Sequence, residues 1–190
     1  MDYSNIQVKN RNLPHWHRDR CIQFVTFHLA DSLPASVRDE LQGVKDAFIK
    51  DNPEPWSDST RAKFNSMFPT VINDYLDAGY GACHLKRKDC ADVMATAIEY
   101  FDSERYIIHR YVVMANHVHV LIELIGTYDL SMITKSWKNF SALQINRLTG
   151  NSGKLWHHES WDRMIRNERH YENVVNYIEK NIKQGGVRWK

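Results

Sequence analysis

Two alternating runs rich in β-branched and aromatic residues, 105–114 and His117–Leu124, are separated by only Ala115-Asn116. So short a link leaves one option. The strands pair antiparallel, because a parallel return needs a crossover of roughly a dozen residues or more. The rest of the chain must be arranged around that hairpin. Residues 21–29 alternate in the same way and read as a first strand. Between it and the hairpin the pattern turns helical. One helix runs from a Ser36 N-cap to about residue 50, ended by Asn52-Pro53-Glu54-Pro55, and a second stretch covers 59–76, interrupted at Pro69. Gly79 and Gly81 mark a loop, and Asp89 caps a helix over 91–101 with Val93, Ala97 and Tyr100 on one face. After the hairpin come a helix at 130–148, carrying Ile133, Trp137, Phe140, Leu143 and Ile145, and a turn at Gly150, Asn151 and Gly153. A short strand at 161–165 and a helix over Glu168–Lys183, stopped by Gly185-Gly186, complete the pattern. The order β-α-β-β-α-β predicts an α+β, ferredoxin-like (RRM-like) antiparallel sheet with helices on its faces. A helical insertion of about 36–88 follows the first strand, and residues 1–20 form an irregular N-terminal arm. All 190 residues are expected to belong to one domain.

Composition narrows the function classes. Hydrophobic residues make up 43 % of the chain, enough for an ordinary core. No apolar run reaches the roughly 18 residues of a membrane span, and Met1-Asp2-Tyr3-Ser4 lacks the layout of a signal peptide. The expected location is cytoplasmic. Cys21, Cys83 and Cys90 form no C-x-x-C pair, which argues against a zinc ribbon or a disulfide framework. The net charge of +2 is unevenly spread: −4 over residues 31–77, +5 over 126–190 and +2 over 1–20. The two basic ends suit a phosphate-bearing partner, and the acidic middle is expected to face elsewhere.

Within the second hairpin strand, His117 and His119 alternate with Val118 and Val120, so both imidazoles leave the same face. Such a pair can reach one metal ion, or can be two hydrogen-bonded strand histidines. On the last helix, Tyr171, Val174, Val175, Ile178 and Ile182 form an apolar stripe. His170, Asn173, Tyr177 and Asn181 recur at offsets of 3, 4 and 4 and share another face. By itself a tyrosine there is an amphipathic surface residue. The H-x-H strand upstream gives it a second reading.

Taken together these motifs resemble the REP-associated tyrosine transposases, relatives of the single-tyrosine HUH transposases of small insertion sequences. The family's Met-Pro-Asn-His-Val-His-Val-Leu run is matched by Met114–Leu121 with Ala115 for proline. Its Tyr-Ile-x-x-Asn-Pro-Val is matched by Tyr177-Ile178-Glu179-Lys180-Asn181 with Ile182 for proline. Leu13-Pro14-His15-Trp16, Val25-Thr26-Phe27, Asp31-Ser32-Leu33-Pro34, Arg105-Tyr106, Trp137-Lys138, Leu155-Trp156 and Asp162-Arg163 extend the likeness.

The resemblance implies an HUH nuclease fold and a metal-dependent single-stranded DNA endonuclease and transesterase. Tyr177 is the implied nucleophile, forming a 5′-phosphotyrosine. His117, His119 and Asn181 are the implied ligands of Mg²⁺ or Mn²⁺. No general base is identified; His170 is on the right face but fits contact with DNA or water better. The implied substrate is a REP-type DNA hairpin with flanking single strand, bound by a monomer. Arg11, His15, Trp16, Arg18, Lys135, Lys138, Arg163, Arg166 and His170 are the candidate DNA contacts, the cations for phosphates and Trp16 for stacking on a base. Trp137, Trp156 and Trp161 fit core packing better. Three alternatives stand beside this. One is a relaxase or replication initiator, which usually has a larger chain. Another is a hairpin binder that keeps the fold without catalysis. The third is a hydrolase that uses the H-x-H pair alone.

Overall fold

The computed structural model describes residues 7–10, 14–17, 21–57, 59–60, 63–64, 72–73 and 75–190, the first two stretches as backbone. Its strands are β1 (Gln7–Asn10), β2 (Pro14–His17), β3 (Ile22–His28), β4 (Tyr106–Val113), β5 (His117–Leu124), β6 (Trp161–Met164) and β7 (Arg188–Trp189). Four helices are α1 (Ala35–Asp51), α2 (Lys88–Glu99), α3 (Leu130–Thr149) and α4 (Glu168–Lys183). The described residues within 59–77 that carry regular structure are also helical.

The main sheet has the order β6-β3-β5-β4-β7, and every neighbour pair is antiparallel. Taking only β3, β4, β5 and β6, the spatial order is fourth, first, third, second. This is the ferredoxin-like arrangement the element order implies. The hairpin sits at the centre: Met114 N–H donates to the His117 carbonyl at 2.9 Å to close the link.

Alternation along the strands builds two cores. Val25 and Phe27 of β3 and Val118, Val120 and Ile122 of β5 pack under α2 and α3, against Met94, Ile98, Ile133 and Trp137. Phe24, Val112, Met114 and Leu121 face the other way, under Val174 and Ile178 of α4. A register shift between Ile108 and Arg110 lets Ile108 and Tyr111 share the first core although they are three positions apart. Buried polar groups in that core are satisfied: Trp137 Nε1 donates to Tyr106 Oη at 2.9 Å, and Tyr106 Oη donates to the Ile98 carbonyl at 2.6 Å. A third cluster, including Leu33, Val37, Phe48, Phe64 and Leu76, joins α1 to the helical stretch after it and reaches Trp161.

Several expectations need correction. The N-terminal arm is not irregular throughout: β1 and β2 pair antiparallel from Gln7↔His17 to Asn10↔Pro14. Helix α1 starts one residue before Ser36, with Pro34 as an N-cap that makes no side-chain hydrogen bond. Asp89 is inside the first turn of α2, not at its cap, and its carboxylate is drawn to Arg87. The buried face of α2 is Cys90, Ala91, Met94, Ala95, Ala97 and Ile98, and Tyr100 is 73 % exposed. On α3, Phe140 and Leu143 are exposed. Strand β7 carries too few residues to show a period. It is set by Gly186, where a Cβ would lie 2.8 Å from Val112 Cγ2 and 2.9 Å from Ile182 Cα. No helix among the described residues is long and apolar enough to cross a membrane.

The glycine loop near the end of the insertion is clamped to the end of β3. Ala82 N–H donates to Asp31 Oδ2 at 2.7 Å. Gly81 has φ +88°, and a Cβ there would come within 2.7 Å of the Asp31 carbonyl oxygen. Gly79 has φ +73° but open space around it. Gly81→Ala is therefore expected to lower unfolding free energy by about 2–4 kcal/mol, strain plus clash. Gly79→Ala should lower it by only about 1 kcal/mol, for the left-handed backbone alone. Urea denaturation of the two variants side by side checks this, and equal losses would contradict the clash.

Candidate active site

Strand β5 carries His117 and His119 into the face under α4, opposite His28 and Thr26 of β3. Both imidazoles are buried, at 1 % and 0 % exposure. Their tautomers follow from the partners of Nδ1. The Asn116 amide donates through Nδ2 to the Tyr80 carbonyl at 3.0 Å, which turns its Oδ1 toward His117 Nδ1 at 2.8 Å. His117 Nδ1 is then the protonated nitrogen, and Nε2 keeps the lone pair. Among the described residues that Nε2 is buried without a hydrogen bond; Asp77 Oδ1 lies 3.8 Å from it. His119 Nδ1 pairs with Thr26 Oγ1 at 2.8 Å. With that nitrogen as donor, Nε2 accepts from the Tyr177 hydroxyl at 3.2 Å. The two imidazole rings lie 4.8 Å apart at 74°, and Phe24 stacks on His119 at 5.5 Å.

Helix α4 brings in the other two groups. Asn167 caps its first turn, accepting from His170 N–H at 2.8 Å. Val174 and Ile178 pin the helix to the sheet. Tyr177 sits at the edge of this contact, half-buried, with its ring edge-on to Phe24 at 6.0 Å. Asn181, one turn on, is buried at 2 % exposure. Its Nδ2 donates to the Tyr177 carbonyl at 2.9 Å, and its Oδ1 has no hydrogen-bond partner among the described residues. The face shared by Tyr177 and Asn181 thus turns toward the sheet, while Asn173 on the same row is exposed.

Arg163 of β6 joins this group. It is opposite Phe24 in register, and its guanidinium carbon lies 5.8 Å from the Phe24 ring centroid. Burial pulls its pKa down, opposed by the charge of a Tyr177 phenolate. Other candidate contacts are spread more widely. Arg166 is exposed and His170 half-buried beside the start of α4. Lys138 donates to the carbonyls of His157 at 3.1 Å and Glu159 at 2.8 Å, in a cleft also lined by Lys135. Arg11 and Arg18 lie outside the described residues, as do the side chains of His15 and Trp16 in β2. Trp137 and Trp156 are core residues, and the half-buried Trp161 stacks on His28 at 5.0 Å.

Sequence reading missed Thr26, Asn116 and Asp77. The first two orient the imidazoles, and their only signal was adjacency to the H-x-H pair in register or in sequence. Asp77 comes from the acidic stretch expected to face elsewhere. Among the described residues, no three His, Cys, Asp or Glu side chains are gathered to hold a metal ion on their own. A cation here draws on the two imidazoles and on other oxygen donors, with Asn181 Oδ1 the buried candidate.

Burial keeps these imidazoles neutral. Desolvation lowers the pKa of His117 from 6.5 to about 3 and that of His119 well below 6.5. His28 falls to about 3 and His157, stacked on it at 4.7 Å, to about 4, again chiefly by burial. The unfolded chain takes up protons on these groups below about pH 6.5, whereas in the fold His28 and His117 do not until about pH 3, nor His157 until about pH 4. Stability is therefore full above pH 6.5 and declines across that window, by up to about 1.4 kcal/mol per pH unit for each buried histidine. Urea titrations in chelator at pH 7.5 and 5.0 should show a clearly lower unfolding free energy at pH 5.0. Equal values would contradict neutral burial.

Comparison with known proteins places the chain in a family. The profile of the IS200-like transposases matches residues 83–181, just over half of the chain and the part that holds the hairpin, α3 and α4. The chain belongs to the IS200-like transposase family, whose members are enzymes of DNA transposition. No curated protein sequence matches it. Among solved structures it is similar to a REP-associated tyrosine transposase bound to a REP hairpin, at 16 % identity and TM-score 0.44, over 93 % of this chain and 73 % of that one. It is also similar to a candidate transposase from Deinococcus radiodurans R1, at 13 % identity and TM-score 0.36, over 91 % of this chain and 96 % of that one.

Proposed function

We propose that this transposase is a single-tyrosine HUH nuclease. It cuts and rejoins single-stranded DNA beside REP-type hairpins, acting as a monomer. One observation carries the reading: the Tyr177 hydroxyl is 3.2 Å from Nε2 of His119, so the phenol meets the paired imidazoles. The motif resemblance supplies the hairpin and the monomer.

The residues present fit a divalent cation. Among the described residues, His117 Nε2 and Asn181 Oδ1 are buried acceptors with no hydrogen-bond partner, and such atoms are expensive to leave unsatisfied unless something binds them. Two neutral imidazole nitrogens with an amide oxygen suit Mn²⁺ well, and Mg²⁺ with added water. His117, His119 and Asn181 would hold it. When bound, it polarises the scissile phosphate toward attack.

The chain's own groups do the rest. Without a cation His119 Nε2 accepts from the phenol; a cation would take that lone pair, and helix α4 would then keep the phenol oxygen beside the phosphate site. The phenol oxygen attacks phosphorus, the P–O3′ bond breaks, and the phenolic proton ends on the departing 3′-hydroxyl. The stored ester lets the same strand, or another 3′-hydroxyl, be rejoined without an external energy source. Asn116 and Thr26 fix ring orientation throughout.

The test is a denaturing gel of the protein incubated with 3′-labelled hairpin DNA and Mn²⁺. A labelled band at the mass of protein plus the 3′ fragment, with the adduct mapped to the peptide holding Tyr177, supports the reading. DNA retarded in a native gel but never cut would make the protein a hairpin binder instead.

A further inference from the structure

Arg163 has a property that phosphate affinity along the DNA does not explain. A guanidinium removed from water normally has a carboxylate beside it. Arg163 is only partly exposed, yet among the described residues it has neither a hydrogen bond nor a carboxylate partner. Strand β6 holds it at the register position of Phe24, the residue whose ring also contacts His119 and Tyr177. The cation, the phenol and the imidazole therefore surround one aromatic ring. Arg166 and Arg169, by contrast, are exposed to solvent. A desolvated charge without a counter-ion is unfavourable in the free protein. It becomes favourable when an anion enters, and the nucleophile beside it identifies the anion as a phosphodiester.

We propose that Arg163 is a further catalytic residue, whose guanidinium receives the non-bridging oxygens of the phosphodiester attacked by Tyr177. The inference rests on the reading of Tyr177 as nucleophile. As the phenol oxygen bonds to phosphorus and the P–O3′ bond lengthens, charge builds on those oxygens. The fixed guanidinium meets it without reorganising. Its planar fork can engage two oxygens at once, which a lysine ammonium cannot.

The experiment measures single-turnover adduct formation at saturating hairpin DNA, and DNA affinity separately, for wild type, Arg163→Met and Arg163→Lys. Arg163→Met is expected to slow the chemical step about 10²–10³-fold, while weakening DNA binding less than tenfold. Arg163→Lys should recover about tenfold of the lost rate. A phosphorothioate in one non-bridging position of the scissile bond should slow wild type much more than Arg163→Met. Thermal melting controls for folding, and the apolar replacement should not lower the melting temperature. An unchanged rate for Arg163→Met, a loss confined to DNA affinity, an equal thio effect in both proteins, or an unfolded Arg163→Met together with a fully active Arg163→Lys overturns the proposal. If wild type itself forms no adduct, the reading of Tyr177 fails first. An adduct from wild type and from Arg163→Met at the same rate removes only the role of Arg163.

Discussion

Tyr177→Phe is expected to abolish the covalent protein–DNA adduct, reducing strand cleavage by at least about 10³-fold. The substitution removes one oxygen and little else. The ring keeps its edge contact with Phe24 at 6.0 Å, and the lost hydrogen bond to His119 is worth about 1 kcal/mol of stability. Folding and hairpin affinity should therefore persist, and cleavage should not. The measurement pairs the denaturing gel with a native gel on the same samples. Cleavage that survives in Tyr177→Phe would turn the enzyme into a hydrolase that uses water at the histidine pair.

His117→Ala is expected to weaken Mn²⁺ binding by about 100-fold or more, because a direct ligand should matter at least as much as the outer partners that typically contribute 10–100-fold. Adduct formation at limiting metal should fall in step. His117 is the cleaner of the two positions to test, since its Nε2 has no hydrogen bond to the phenol to lose, unlike that of His119. The metal-free protein should stay folded, because the truncation also removes a buried acceptor without a partner. Calorimetric titration with Mn²⁺ measures the loss directly. Unaltered Mn²⁺ affinity would return the H-x-H pair to the role of two hydrogen-bonded strand residues.

The legible parts of the sequence were those with strong local periodicity. The hairpin around Ala115-Asn116 forced antiparallel pairing, and alternation put both histidines on one face, where the structure has them. Helix α4 carried a glycine stop at Gly185-Gly186 and a clean apolar stripe, and its bounds agree with the sequence reading. What was not legible depended on contacts distant in sequence. Thr26 is 93 residues from His119, and nothing in its own neighbourhood marks it as the partner of that ring. The face of α2 was partly legible: Ala97 is buried and Val93 packs against the core, but Tyr100 is exposed, and the small buried residues Ala91 and Ala95 carry too weak a hydrophobic signal to mark the face. The edge strand β7 is two residues long, too short for any period.

The backbone carbonyl of Tyr80, in the loop near the end of the helical insertion, has a consequence for how this protein can be trimmed or recombined. Through the Asn116 amide it dictates which nitrogen of His117 bears the proton. The insertion is thus wired to the chemistry by a two-bond relay. A shortened version that deleted it as decoration would keep both histidines yet lose the device that aims one of them. Grafting the H-x-H hairpin onto another scaffold would have to bring an equivalent carbonyl along.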